Sequence, residues 1–352
     1  MGIEISSGHT AKRNTRMNTA LIKSFCIDFN WDAKGPAAPG MYADADLAGH
    51  LRWYRELGAN VIQTFCVSYN GYAWYADSNV APVIPGLRYD FLPEITTLAH
   101  SEGMRVMGYF CLGANPLWEA QHPEQFHREV DGNTWRIVLT GDYLDYFCAS
   151  VRDALEQTEV DGFMIDWFNR PQRKIWLECE KTLFRELMGG PMPAGLPLDS
   201  AEAVEFDRRL LERAWVRIRE TVESTRKVIV WTNHPFTVAN DPLWNGHRLL
   251  REVDWVLNED PKVELLGWLE AQVGPHTKII QNLCGWKDHD ASIWRQLDAR
   301  KLGFYGFAQA DPVSTLPSPD YTPACAANWK NIGIIREAYQ TLAEHFAIPG
   351  SH

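Results

Sequence analysis

The sequence has no stretch approaching the ~20 consecutive apolar residues that a membrane-spanning helix requires. The basic residues near the N-terminus are not followed by an apolar segment, so nothing there reads as a secretory leader. Residues 1–18 are expected to be a disordered tail, and the chain is expected to work in the cytoplasm. Signatures of several large enzyme classes are also missing. No G-x-S-x-G occurs, which argues against a serine hydrolase of the nucleophile-elbow type. No G-x-G-x-x-G or Walker sequence occurs, so no nucleotide cofactor is expected. The eleven histidines are scattered without H-x-H or H-E-x-x-H spacing, and no metal is expected. The seven cysteines are odd in number and form no C-x-x-C, which suits buried free thiols in a reducing compartment. Positive charge is in deficit: the formal net charge is −11, which disfavours nucleic acid and anionic membrane as partners.

The chain of 352 residues is 45% hydrophobic, enough for a substantial core. Aromatics make up 12%, with 15 Trp. Most must pack in the core, but indole faces are also good platforms for the C–H faces of sugars. Along the chain, short β-branched or aromatic runs alternate with amphipathic segments. Strands are expected at 21–31, 60–67, 105–113, 162–168, 227–233, 254–260, 277–286 and 304–312. Helices are expected at 44–59, 89–103, 140–158, 172–189, 200–226, 243–252, after Pro261, at 291–303 and at 326–346. Eight strands, nearly every one followed by a helix, predict a single-domain (β/α)8 TIM barrel over 19–352, with no C-terminal β-sandwich.

In such a barrel the chemistry sits at the C-terminal ends of the strands. Those ends are polar and aromatic here: Asp28, Asn30 and Trp31; Tyr69, Asn70 and Trp74; Asp166, Trp167 and Arg170; Trp231, Asn233 and His234; Glu259 and Asp260; Asn282 and Trp286; Gln309. One polar strand end can simply cap the next helix. Many together make a bowl suited to hydroxyls and sugar rings, with a carbohydrate or glycoside as the expected substrate. Arg170 could meet an acidic sugar or form an ion pair in its loop. Glycosidic cleavage needs two carboxyl groups. Asp166, at the end of the apolar run "GFMI", is the expected nucleophile. The acid/base is expected to be Glu259, with Asp260 as the alternative, since the two cannot both face inward when side chains alternate along a strand.

The stretch "DLAGHLRWYRELGANVIQTFCVSYNGYAWYADS", 46–78, resembles the early part of the α-L-fucosidases (glycoside hydrolase family 29). "LPEITTLAHSEGMRVMGYF", 92–110, looks like the next helix and strand of that family, and "VDGFMIDW" is similar to its fourth strand. The resemblance implies Asp166 as nucleophile and a retaining mechanism. Ser68, Tyr69 and Asn70 stand where those fucosidases carry a histidine pair, so fucose itself does not follow. The order also resembles the related α-galactosidase clan, with a nucleophile on strand four and an acid/base on strand six. The long segments 112–139 and 169–200 are expected to cover the bowl, either closing one end for exo action or forming a contact between copies in a homo-oligomer.

Overall fold

The structure is a computed structural model that describes residues 21–128, 135–171, 173–234, 239–260, 262–285 and 289–345. Eight parallel strands close into one barrel: β1 (Lys23–Asp28), β2 (Val61–Val67), β3 (Arg105–Cys111), β4 (Gly162–Asp166), β5 (Ile229–His234), β6 (Trp255–Asn258), β7 (Lys278–Cys284) and β8 (Leu302–Gln309). Each strand pairs with its neighbour in sequence, and β8 closes on β1 with Asp28 opposite Gln309. This is the expected (β/α)8 barrel. The strands read as near-continuous apolar runs because helices cover the outside while side chains fill the inside; all seven residues of β2 are buried.

The covering helices include Leu47–Leu57, Phe91–Ser101, Gly141–Gln157, Ala201–Thr225, Glu264–Gln272 and Pro323–His345. Their starts are written in the sequence. Asp46, Thr140 and Ser200 accept hydrogen bonds from backbone N–H groups of the first turn, each contact worth about 1 kcal/mol. Gly58 ends its helix in the left-handed region (φ 84°), where a side chain would be strained.

The helix expected at 291–303 is replaced by a short 3-10 segment, Ala291–Gln296. The reason is local: Asp298 Oδ1 accepts the Arg300 N–H and folds the chain into a tight turn. Two long excursions leave the C-terminal ends of β3 and β4. The first holds a helix, Pro116–Gln121, and a ribbon of Phe126–Arg128 with Trp135–Ile137; the second holds the helix Glu178–Met188. They are tied to each other by His127 and Glu180 (3.1 Å), and Arg173 joins Glu180 to Asp207 of the helix Ala201–Thr225. All seven cysteines are free, five of them buried. Among the described residues, no helix is long and apolar enough to cross a membrane.

Candidate active site

Period-two alternation builds the site. Cys26 and Asp28 of β1, Gln63 and Phe65 of β2, Met164 and Asp166 of β4, and Tyr305 and Phe307 of β8 are each spaced by two and face one cavity. The cavity, about 630 Å3, lies at the C-terminal mouth of the barrel, and Asn30, Trp31, Tyr109, Trp167, Asn233 and Glu259 complete its wall. Asp28, Asp166 and Glu259 thus share one bowl.

Asp166 is held by several donors. Tyr109 Oη donates to Oδ2 (2.8 Å), while Asn233 Nδ2 (2.7 Å) and the Trp167 N–H (2.8 Å) donate to Oδ1. Hydrogen bonds to a charged group are worth roughly 1.5–3 kcal/mol each, so this set favours a fixed carboxylate. Trp167 has φ 57°, a conformation unusual for a bulky residue. It is accommodated because residue 113 is a glycine; a Cβ there would stand 2.9 Å from the Trp167 carbonyl oxygen. Such strain, about 1–3 kcal/mol, persists where surrounding structure fixes it, often at functional sites. Here it lays the indole beside the cavity.

Burial and the negative charge of Asp166 push the Glu259 carboxyl up to about 8; the Asn233 amide beside it pulls the other way without prevailing. Burial likewise pushes Asp28 up to about 7 against the Asn30 N–H it accepts (2.7 Å), with Asp166 adding to the rise. Asn30 Oδ1 accepts the Tyr69 N–H (2.8 Å), tying the end of β1 to the loop after β2. Trp31, Tyr69 and Trp167 form an aromatic rim, with ring centroids 5.0 and 5.5 Å apart.

Several expected site residues stand elsewhere. Asp260 turns away from the cavity and bonds the N–H and Nζ of Lys262. Trp231 does face inward, but one layer too deep: two residues before Asn233, it is buried under the cavity against Tyr305 and Trp255. Trp74 is buried among Phe29, Phe65 and Phe91, its Nε1 donating to Ser68 Oγ. Asn70 accepts from that same hydroxyl and braces its own loop. Asn282 supports Glu259 from behind, donating to its backbone oxygen (3.3 Å). Gln309 lines an adjoining cleft of about 400 Å3 that shares Asp28 and Phe307 with the main cavity. Arg170 is exposed and does not line the cavity. Trp286 and the side chain of His234 lie outside the described residues.

Sequence reasoning missed Tyr109, Gln63 and Tyr305. Their signal was available only through register: Tyr109 lies opposite Met164, and Tyr305 Oη donates to Gln63 Oε1 across the barrel (2.8 Å). Among the described residues, no group of three or more His, Cys, Asp or Glu is placed to hold a metal ion.

Residues 46–167 match the family described as hypothetical glycosyl hydrolase 6. The matched segment runs from the cap of the first helix to the residue after Asp166. Among solved structures, the chain is similar to α-L-fucosidase isoenzyme 2 from Paenibacillus thiaminolyticus, at 14% identity over 94% of this chain and 51% of that one, TM-score 0.66. It is similar to the glycoside hydrolase domain of PgaB (BpsB) from Bordetella bronchiseptica, at 13% identity over 84% and 96%, TM-score 0.57. It also resembles a β-galactosidase from Marinomonas ef1, at 11% identity over 93% and 61%, TM-score 0.56. The chain therefore spans about half the length of that fucosidase. No curated protein matches it. At these identities the likeness is one of fold, a glycoside hydrolase-like barrel, and the resemblance to fucosidases holds at that level.

Proposed function

We propose that the chain is a retaining, exo-acting glycoside hydrolase with Asp166 as nucleophile and Glu259 as general acid/base. The observation that carries this reading is Asn233, whose side-chain amide donates to Asp166 and also lies against the Glu259 carboxyl. An amide nitrogen that sits about 3 Å from each of two carboxyls keeps their nearest oxygens within roughly 6 Å of each other. Retaining glycosidases hold theirs at about 5–5.5 Å, and inverting ones leave room for a water. Exo action belongs to the reading because the excursions after β3 and β4 leave the same barrel end as the cavity.

The electrostatics suit the two steps. Glu259 is protonated at neutral pH and gives its proton to the leaving oxygen while Asp166 attacks the anomeric carbon. The ester then formed cancels the charge of Asp166, which after burial is the largest cause holding Glu259 up. Its affinity for a proton falls, and it becomes the base that takes one from the incoming water. Tyr109, Asn233 and the Trp167 N–H keep the carboxylate aimed throughout. The aromatic rim and Asn30 supply faces and hydrogen bonds for a sugar ring.

The test is a screen of aryl glycosides with NMR of the first-formed anomer. Retention is expected, and Asp166→Asn should lower kcat by about 10^4-fold or more. Inversion of the anomer, or an Asp166→Asn variant that keeps its turnover, would overturn the assignment.

A further inference from the structure

The cavity gathers three carboxyl groups and no cation among the described residues. Asp28, Asp166 and Glu259 face it, and among the described residues its wall carries no Lys, Arg or His. Asp28 is the least explained of the three. It is 7% exposed, accepts one backbone N–H, and forms no ion pair among the described residues. A buried carboxylate without a cation is costly, and a third acid beside a catalytic pair adds repulsion. A second, independent observation also points to a missing ligand. Asn233 is 4% exposed and lines the cavity, and among the described residues its Oδ1 has no hydrogen-bond partner. A buried amide oxygen left in this state waits for a donor from outside the protein.

A neutral sugar would satisfy Asn233 through a hydroxyl but leave Asp28 uncompensated. An acidic sugar would add negative charge to a cavity that already holds Asp28 and Asp166. A sugar bearing an ammonium group would supply both the donors and the counter-charge. We propose that the cavity selects a glycoside of an amino sugar with a free, protonated amine, with Asp28 as the counter-ion of the ammonium and Asn233 Oδ1 accepting another donor of the same ring. The inference rests on the glycosidase reading above and deepens it. The net charge of −11 acts in the same direction, drawing cationic glycans and repelling anionic ones.

The experiment compares matched 4-nitrophenyl glycosides that carry, at one carbon, a free amine, an acetamide or a hydroxyl, at a pH where the amine is protonated. The free amine should be favoured in kcat/KM by at least about tenfold, the margin by which a charge-assisted hydrogen bond exceeds a neutral one. Asp28→Asn should erase most of that ratio, and added salt should shrink it in the wild type. Equal or better turnover of the hydroxyl or acetamide glycosides, or a ratio that survives Asp28→Asn, would overturn the inference while leaving the glycosidase reading intact. If no glycoside of any kind is turned over, that reading fails. Calorimetry of the wild type with galactosamine and glucosamine against galactose and glucose then decides the charge question alone: tighter binding of the amines supports it, and equal binding ends it.

Discussion

Glu180 and Glu259 are buried acids in two different parts of the same barrel, and their acidities are shifted in opposite directions. Glu180 is completely buried between the two excursions. Burial alone would push it up, but His127 at 3.1 Å and Arg173 at 2.9 Å hold it below the usual carboxylate range. Glu259 is partly accessible through the cavity, yet burial of its carboxyl and the charge of Asp166 raise it. Burial sets the size of the electrostatic penalty, and the neighbour decides whether it is relieved. Asp207 shows the balance from the other side: Arg173 bonds both its oxygens, at 2.9 and 2.6 Å, and burial still leaves it above its ordinary value. The excursions provide cations for their acids and become a structural joint. The cavity sets acids beside an acid, the arrangement expected where protons are to be exchanged.

Removing the cation should make the first region resemble the second. Arg173→Leu leaves Glu180 and Asp207 buried without their partner, and breaking such a cluster costs about 3–5 kcal/mol at neutral pH. In the wild type the depressed Glu180 contributes stability above the ordinary carboxylate range, and that contribution is lost as pH falls through its folded value. In the variant Asp207 loses the partner that held it down and Glu180 keeps only His127, so both rise, and the deficit should shrink as pH is lowered and Asp207 takes up a proton. Urea unfolding at several pH values checks both. A pH-independent deficit, or one below about 1 kcal/mol, would remove the charge cluster from the account of how the excursions are joined.

In the cavity the matching change is Tyr109→Phe, which takes one donor from Asp166 and keeps the ring. A hydrogen bond to a charged group of about 1.5–3 kcal/mol corresponds to a ten- to hundredfold loss in kcat/KM. Thermal stability should barely move. Unchanged steady-state kinetics would mean that the Asp166 charge is not used in the rate-limiting step.

Tyr109 also marks where reading the sequence ran out. The eight strands, nearly all the helices and the polar strand ends were legible, because apolar runs, caps and glycines carry local signals. Asp166 was legible because it ends an apolar run. Depth within the barrel was not. Trp231 and Asn233 share a face, and only the pairing of Trp231 with Trp255 and its contact with Tyr305 place it one layer below the mouth. Trp74 and Asn70 sit in a loop whose polar atoms bond one another, and no spacing rule distinguishes that from a loop turned toward a ligand. Tyr109 reads as one more aromatic in an apolar strand until the register of β3 against β4 sets it beside Asp166.

Glu259→Gln should separate chemistry from stability. A raised acid contributes stability that is fully present below its ordinary value and lost as pH rises through its folded value, about 8 for Glu259. The variant should therefore unfold at higher temperature than the wild type above that pH and converge with it in acid. The gain should be about 1–2 kcal/mol, kept small because the residue is partly accessible. Turnover should fall by about 10^2–10^4-fold. A variant less stable than the wild type at alkaline pH would contradict the sign of the shift.

The smallest effect is expected one residue further on. The two acids that follow β6 point opposite ways: Glu259 lines the cavity, while Asp260 points to its own loop. Asp260 Oδ1 accepts the Lys262 N–H at 2.9 Å, and Oδ2 meets Lys262 Nζ at 3.2 Å. An asparagine keeps the first contact through its amide oxygen and loses only a half-exposed ion pair, worth about 0–1 kcal/mol. Asp260→Asn should thus change kcat/KM by less than about twofold. Comparing it with Glu259→Gln on the same substrate is the sharpest use of the strand's alternation, because backbone position and residue class are nearly held constant. If Asp260→Asn proved the more damaging of the two, the loop after β6 would have to turn over when substrate binds, and the acid/base role would pass to Asp260.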